Sequence, residues 1–244
     1  MINVLLAGVG GQGTVLAAKV LAKAAQSKGW QVRTAETIGM AQRGGGVTSH
    51  VRMGSNGEKV LAPLVTKGTA DVVIAFEPGE AARALPFLAP GGVLVTATSA
   101  IQPVTAALAS APYSGEAVVE QLQKSISGGA DPSDCSLAAS TNPVPDSVDP
   151  GANLAADSAA NSAGLTNLHA PSPVLFVPVD DAALVKATGN RKALNMMLLA
   201  VAVAQNRIPI SLDELKTAVE ACVKPQFVLM NLAAIDEAAS RYGV

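Results

Sequence analysis

Residues 2–13, Ile2-Asn3-Val4-Leu5-Leu6-Ala7-Gly8-Val9-Gly10-Gly11-Gln12-Gly13, pass from a nearly continuous apolar run into a glycine-rich turn. An apolar run of this length bounded by glycine reads as a parallel strand covered on both faces. Beyond it, Val15, Leu16, Val20 and Leu21 fall on one side of a helical projection and Lys19, Lys23 and Gln26 on another, until Gly29 offers a stop. A second strand from Gln31 to Glu36 completes a βαβ unit of ordinary size. The glycine spacing therefore matches the dinucleotide fingerprint in its strand, turn and helix context.

The alternation continues outward from this unit. Val47 to Met53 and Glu58 to Leu61 are extended runs on either side of Gly54-Ser55-Asn56-Gly57, which predicts an antiparallel hairpin because both central positions tolerate positive φ. Asp71 to Phe76 reads as a buried strand, Glu77-Pro78-Gly79-Glu80 as the lead into a helix reaching Phe87, and Gly92 to Thr96 as the next strand. Val174 to Val179 resumes the strand pattern, and Asp180-Asp181 can cap the helix after it. Ala193 to Ala204 reads as a buried helix, too short for the roughly 20 residues a bilayer requires. Ser211 with Glu214 forms a capping-box pattern, and Val228, Leu232, Ile235 and Ala239 share one face of a last helix. The fold class is thus α/β: a Rossmann-like open, mostly parallel sheet with an antiparallel hairpin and a C-terminal helical cluster.

Composition narrows the function. With 244 residues, 49% of them hydrophobic, the chain can bury a sizeable core. A formal charge of -2 and 3% aromatic residues give no basic surface excess, so nucleic acid is not the expected partner. Cys135 and Cys222 lack metal-ligand spacing and are expected to be free thiols, so no iron–sulfur cluster or zinc site is expected on this chain alone. The N-terminus shows no signal-peptide pattern, and a cytoplasmic protein without a membrane segment is expected. From Ser125 to Ser172 the composition turns to Ser, Ala, Asn, Asp, Gly and Pro. Five aspartates and no lysine or arginine give this stretch a charge of -5, leaving +3 on the remainder. It reads as a flexible acidic insertion at 125–172 within a single domain over 1–244, with His169 and Cys135 incidental to it.

The chemistry-bearing residues concentrate in Glu36-Thr-Ile-Gly-Met40-Ala-Gln42-Arg43-Gly44-Gly45-Gly46-Val-Thr-Ser-His50-Val-Arg52. Three successive glycines carry an entropic cost and suggest close approach by a ligand or another chain. Arg43 suits bidentate contact with a carboxylate or diphosphate. His50 and Arg52 share one strand face, and His50, without a neighbouring nucleophile or second histidine, reads as structural. For the turn Gly8, Gly10, Gly11, Gln12 and Gly13, two readings stay open: a dinucleotide diphosphate site with Glu36 as ribose acceptor, or tight packing of strand, turn and helix with the turn facing a partner chain or a different phosphate-bearing ligand. No self-contained catalytic set is present.

Gly8 to Gly13, Glu36 to Arg52, and Gly189-Asn190-Arg191-Lys192-Ala193-Leu194-Asn195-Met196 together resemble the gamma-type subunits of 2-oxoacid:ferredoxin oxidoreductases, above all the indolepyruvate ferredoxin oxidoreductase beta type. The likeness covers about residues 1–112 and 173–244, and the Gly-Met-Ala-Gln-Arg-Gly-Gly run is its most specific part. It implies an oxidoreductase subunit, active only with its partner, that helps decarboxylate an aryl 2-oxoacid oxidatively to an acyl-CoA with reduction of ferredoxin. It also implies that thiamine diphosphate and iron–sulfur clusters sit in a larger partner subunit, that CoA is the co-substrate, and that Met40, Gln42, Arg43 and Gly44 face the substrate or CoA entrance. The insertion departs from the family pattern. The runner-up is a stand-alone NAD(P)-dependent oxidoreductase using the Gly8 to Gly13 turn, and a non-enzymatic docking scaffold is the third reading.

Overall fold

A computed structural model describes residues 1–39, 45–101, 113–127 and 173–243. Its centre is a six-stranded sheet in the order β2-β3-β1-β4-β5-β6, built from β1 (Ile2–Val9), β2 (Gln31–Ile38), β3 (Gly46–Gly54), β4 (Ala70–Ala75), β5 (Leu88–Ala97) and β6 (Leu175–Val179). β1, β4, β5 and β6 pair in parallel, whereas β3 runs antiparallel to both β1 and β2. The expected open, mostly parallel sheet with an antiparallel pair is therefore present.

The apolar run of β1 is explained by two packing layers. Val4 and Leu6 belong to a core formed with α1 (Thr14–Ser27), α5 (Leu194–Ala204), α6 (Leu212–Cys222) and α7 (Pro225–Tyr242). Leu5 and Ala7 alternate into a second core with α2 (Pro78–Ala84) and Leu122 of α3 (Gly115–Ser127). Successive side chains of a strand point to opposite faces, so a strand covered on both sides must be apolar throughout. α5 is buried from Leu194 to Val203. A helix apolar on every side belongs inside a core, and no described helix is long and apolar enough to cross a membrane. The remaining helix, α4 (Asp181–Thr188), is capped by Asp180 and ends at Gly189, whose φ is +67°. Ser211 and Glu214 form the expected capping box at α6.

Three expectations are corrected. First, β2 does not lie beside β1, because β3 is inserted between them. The β1–α1–β2 segment keeps its crossover, but the two strands stand one strand apart. Second, the hairpin is formed by β2 and β3 rather than at Asn56-Gly57. Gly57 does take positive φ, yet residues 58–62 form no strand. Both edges of β3 are already paired, with β1 and β2, so a returning strand finds no free ladder. Side chains hold that segment instead: Val60 N–H donates to Gln31 Oε1 (2.5 Å) and Arg52 Nη1 donates to Ala62 O (2.9 Å). Third, the buried face of α7 is Asn231, Ala234, Ile235 and Ala238, one residue before the expected face at Val228, Leu232 and Ala239, with Ile235 common to both. Ser125 to Ser127 complete α3, and the rest of the expected insertion at 125–172, with Cys135 and His169, lies outside the described residues.

Candidate functional site

The carboxyl ends of β1 and β4 and the amino end of the antiparallel β3 meet at one edge of the sheet. Here the glycine turn is closed by its own side chain. Gln12 Oε1 accepts from Val9 N–H (2.6 Å), and Gln12 Nε2 donates to Phe76 O (2.8 Å), stitching β1 to the residue after β4. Gly8 leaves room for this: a Cβ there would lie 2.8 Å from Gln12 Oε1 and 3.0 Å from the Phe76 ring. Gly13 has φ +82°, and a Cβ on it would lie 2.5 Å from Asn195 Nδ2, which donates to Gly13 O (3.2 Å). Asn195 is the polar residue of the apolar α5 and is 3% exposed. It is spent on the turn.

The second motif joins the first through the backbone. Gly10 N–H donates to Gly45 O (3.0 Å), and Gly39 N–H donates to Gly46 O (2.9 Å). The loop between β2 and β3 thus leaves and re-enters the sheet beside the glycine turn. Met40, Gln42, Arg43 and Gly44 lie outside the described residues, and the structure fixes only the two ends that carry them. The Gly10 amide is engaged by Gly45, so it is not directed at a ligand.

Glu36 is not placed as a ribose acceptor. It pairs with Ser49, which on its other side pairs with Leu6. Glu36 is therefore level with Leu6, three residues short of Val9, and two strand spacings away, about 9–10 Å. Its side chain lines a groove of ≈ 320 Å³ on the flank of the sheet with Lys19, Lys23, Gln26, Thr34 and Cys222. Inserting β3 has separated the two halves of the nucleotide motif.

His50 is structural, as its sequence context suggested. Its Nδ1 accepts from Val65 N–H (3.1 Å), and its ring meets Phe87 edge to face at 6.2 Å. Burial lowers its pKa from the ordinary 6.5. A histidine buried neutral binds its proton more weakly when folded, so its stabilising contribution is complete above the unfolded value and falls as pH drops below about 6.5. Urea midpoints measured from pH 8 to pH 5 should fall through this window, and His50→Gln should flatten the slope. A slope identical in both proteins would refute the assignment. Arg52, on the same strand, donates through Nε to Asn3 Oδ1 (3.0 Å) and so holds β3 to β1.

A group that sequence reading passed over lies at the same edge. Glu77 caps α2 by accepting from Glu80 N–H (3.0 Å) and also accepts from the Tyr113 hydroxyl. Glu80 pairs with Arg83, and its carboxylate lies against Gly46, where a Cβ would be 3.0 Å from Oε2. Burial raises the Glu80 pKa, Arg83 opposes the shift and Glu77 adds to it. Burial and the hydrogen bond to Glu77 also push the Tyr113 phenol upward. The one available signal was the Glu-Pro-Gly-Glu order, with an acceptor before a proline at the first helical position. Nothing local points to Tyr113, 36 residues on. Among the described residues, no cluster of three or more His, Cys, Asp or Glu side chains could hold a metal ion.

The family model described as Pyruvate ferredoxin/flavodoxin oxidoreductase matches residues 3–241. Indolepyruvate oxidoreductase subunit IorB of Archaeoglobus fulgidus is 45% identical over 125 residues, covering 50% of this chain and 60% of that protein. The subunit of the same name from Thermococcus kodakarensis is 42% identical over 111 residues, covering 46% and 54%. The chain thus spans little more than half the length of these relatives. Among solved structures, the gamma subunit of a keto/oxoacid ferredoxin oxidoreductase from Geobacter sulfurreducens has a TM-score of 0.59 at 17% identity, covering 99% of this chain and 98% of that one. A 2-oxoglutarate:ferredoxin oxidoreductase from Magnetococcus marinus gives 0.59 at 18% identity, covering 98% of this chain and 30% of its own. At those identities the structures show a shared fold.

Proposed function

The chain belongs to the pyruvate ferredoxin/flavodoxin oxidoreductase family, and from that premise we propose that it is the gamma-type subunit of a cytoplasmic 2-oxoacid:ferredoxin oxidoreductase. The complex oxidatively decarboxylates an aryl, indolepyruvate-like 2-oxoacid to its acyl-CoA and passes the electrons to ferredoxin. This chain contributes one gamma-type domain, with the acidic stretch at 125–172 as an insertion, and works only with a larger subunit. Thiamine diphosphate in that subunit supplies the decarboxylation, and its iron–sulfur clusters carry the electrons. The present chain supplies a wall of the entrance. Met40, Gln42, Arg43 and Gly44 face the incoming 2-oxoacid or CoA, and Arg43 steadies a carboxylate or phosphate through charge-assisted hydrogen bonds.

The observation that carries this reading is the Gly10 to Gly45 hydrogen bond. Together with the Gly39 to Gly46 bond, it brings the glycine turn and both ends of the loop to the carboxyl edge of the parallel strands, where ligands of open α/β sheets are received. Gly8, Gly11, Gln12 and Gly13 then serve as the rigid seat of that loop, and Glu36 lies away from it. The NAD(P) reading needs Glu36 beside the turn and the Gly10 amide available, and neither condition holds in this arrangement.

Reconstitution tests the proposal. The chain combined with a thiamine- and cluster-bearing large subunit should catalyse CoA-dependent reduction of ferredoxin by an aryl 2-oxoacid, and neither chain should do so alone. Saturable micromolar binding of NADH to the isolated chain would instead favour the dehydrogenase reading.

A further inference from the structure

β2 is the outer strand on one side of the sheet and β6 on the other, and the two edges are finished differently. β6 is five residues long and carries Pro178, which has no N–H to offer a further strand. β2 runs for eight residues without proline, its ladder to β3 is unbroken from Gln31–Gly54 to Ile38–Val47, and each of its residues is at least partly exposed. An open edge of this kind is a template for another strand. The face of β2 that looks toward α1 is equally unfinished. There Val32, Thr34 and Glu36 form one wall of the ≈ 320 Å³ groove, and Lys19 and Lys23, one turn apart on α1, stand on the other. All three charged residues are exposed, and among the described residues none of them enters an ion pair.

A second copy of β2 satisfies both the edge and the groove. Antiparallel pairing about a two-fold axis normal to the sheet keeps every residue on its own face, so one residue must stand opposite its own copy. Centring on Arg33 or on Glu36 sets like charges against each other, and centring on Thr34 sets Glu36 against Val32. Centring on Ala35 avoids all three. Val32 then meets Ile38, which is 66% exposed, Arg33 meets Thr37, and Thr34 meets Glu36. Glu36 of each copy enters the mouth of the other's groove level with Thr34, on the face where Lys19 and Lys23 lack partners. We propose that this chain pairs with a second copy of itself through β2, centred on Ala35, so that two six-stranded sheets become one. One strand and its own flanking helix supply both members of the apolar pair and both signs of the charge pair, and that self-complementarity identifies the occupant as a second copy.

The full chain tests this without reference to its enzymatic role. Sedimentation equilibrium should show a monomer–dimer equilibrium with Kd in the micromolar range, because a single strand pair is a small interface. Glu36→Lys and the double substitution Lys19→Glu/Lys23→Glu should each weaken association about ten-fold, since like charges replace attractive ones at two symmetric contacts. Mixing these two variants should restore it, because opposite signs then meet at both contacts; a misfolded variant would not be rescued in this way. The register is read by cross-linking. With Cys135→Ser and Cys222→Ser in the background, Ala35→Cys should oxidise to a covalent dimer, since directly opposed residues of paired strands lie within disulfide reach, and Thr34→Cys should not. A wild-type chain that stays monomeric well above the micromolar range, mixing that restores nothing, or a cross-link at 34 in place of 35 overturns the proposal. So does failure of the Ala35→Cys cross-link once the larger subunit is added, which would assign the β2 edge to that subunit.

Discussion

Gly13→Ala is expected to destabilise the chain by about 3 kcal/mol, the sum of a backbone and a packing penalty. Gly13 has φ +82°, a region that costs an L-residue about 1–2 kcal/mol. The added Cβ would also lie 2.5 Å from Asn195 Nδ2. Asn195 cannot yield easily: it is buried in α5, donates to Gly13 O and accepts from Met196 N–H. Moving it leaves a buried amide unsatisfied, which costs about 1–3 kcal/mol. Gly11 provides the control. Its φ is +99°, but a Cβ added there would meet nothing within 4 Å, so Gly11→Ala should show only the backbone penalty of about 1–2 kcal/mol. Urea unfolding of both variants separates the two terms. Equal losses at 11 and 13 would show that the Asn195 contact is not what demands glycine.

The same turn marks how far the sequence could be read. Its place after an apolar strand and before an amphipathic helix was legible, because apolar periodicity and glycine placement are local consequences of burial and backbone sterics. α5 and the Ser211 capping box were legible for the same reason. The neighbour of β1 was not. Burial on both faces tells that Val4, Leu5, Leu6 and Ala7 are covered, yet it does not tell whether β2 or β3 lies alongside, since either satisfies the ladder. Glu36 as a ribose acceptor therefore stayed one of two open readings in the sequence, and the Leu6–Ser49–Glu36 register places it two strands out. Asn56-Gly57 read as a hairpin because a turn signal carries no information on whether the preceding strand still has an open edge. Contacts between remote residues were equally hidden. Asn195 against Gly13 and Tyr113 against Glu77 join positions 182 and 36 residues apart. Glu77 and Glu80 were passed over because a helix-leading Glu-Pro-Gly-Glu reads as solvent-exposed when its surroundings are unknown.

Arg43→Ala in the reconstituted complex is expected to lower kcat/KM by about 10- to 100-fold with assembly intact. A guanidinium making charge-assisted contacts to a carboxylate or phosphate contributes about 1.5–3 kcal/mol, which corresponds to that range. The loop that carries it is fixed at both ends, by Gly39 N–H to Gly46 O and by Gly10 N–H to Gly45 O. Neither fixing bond involves the arginine side chain, so its removal should leave both loop ends in place. Arg43→Lys separates charge from geometry: a lysine keeps the cation but loses the planar fork, and only partial recovery is expected. The parameter that changes identifies the ligand. A rise confined to the KM for CoA places the guanidinium on a phosphate, and a rise confined to the KM for the 2-oxoacid places it on the substrate carboxylate. An equal fall in kcat and kcat/KM with both KM values unchanged would mean that the contact forms only in the transition state. If activity is unchanged while size-exclusion chromatography shows an intact complex, Arg43 has no ligand role, and the glycine-seated loop serves only to dock the larger subunit.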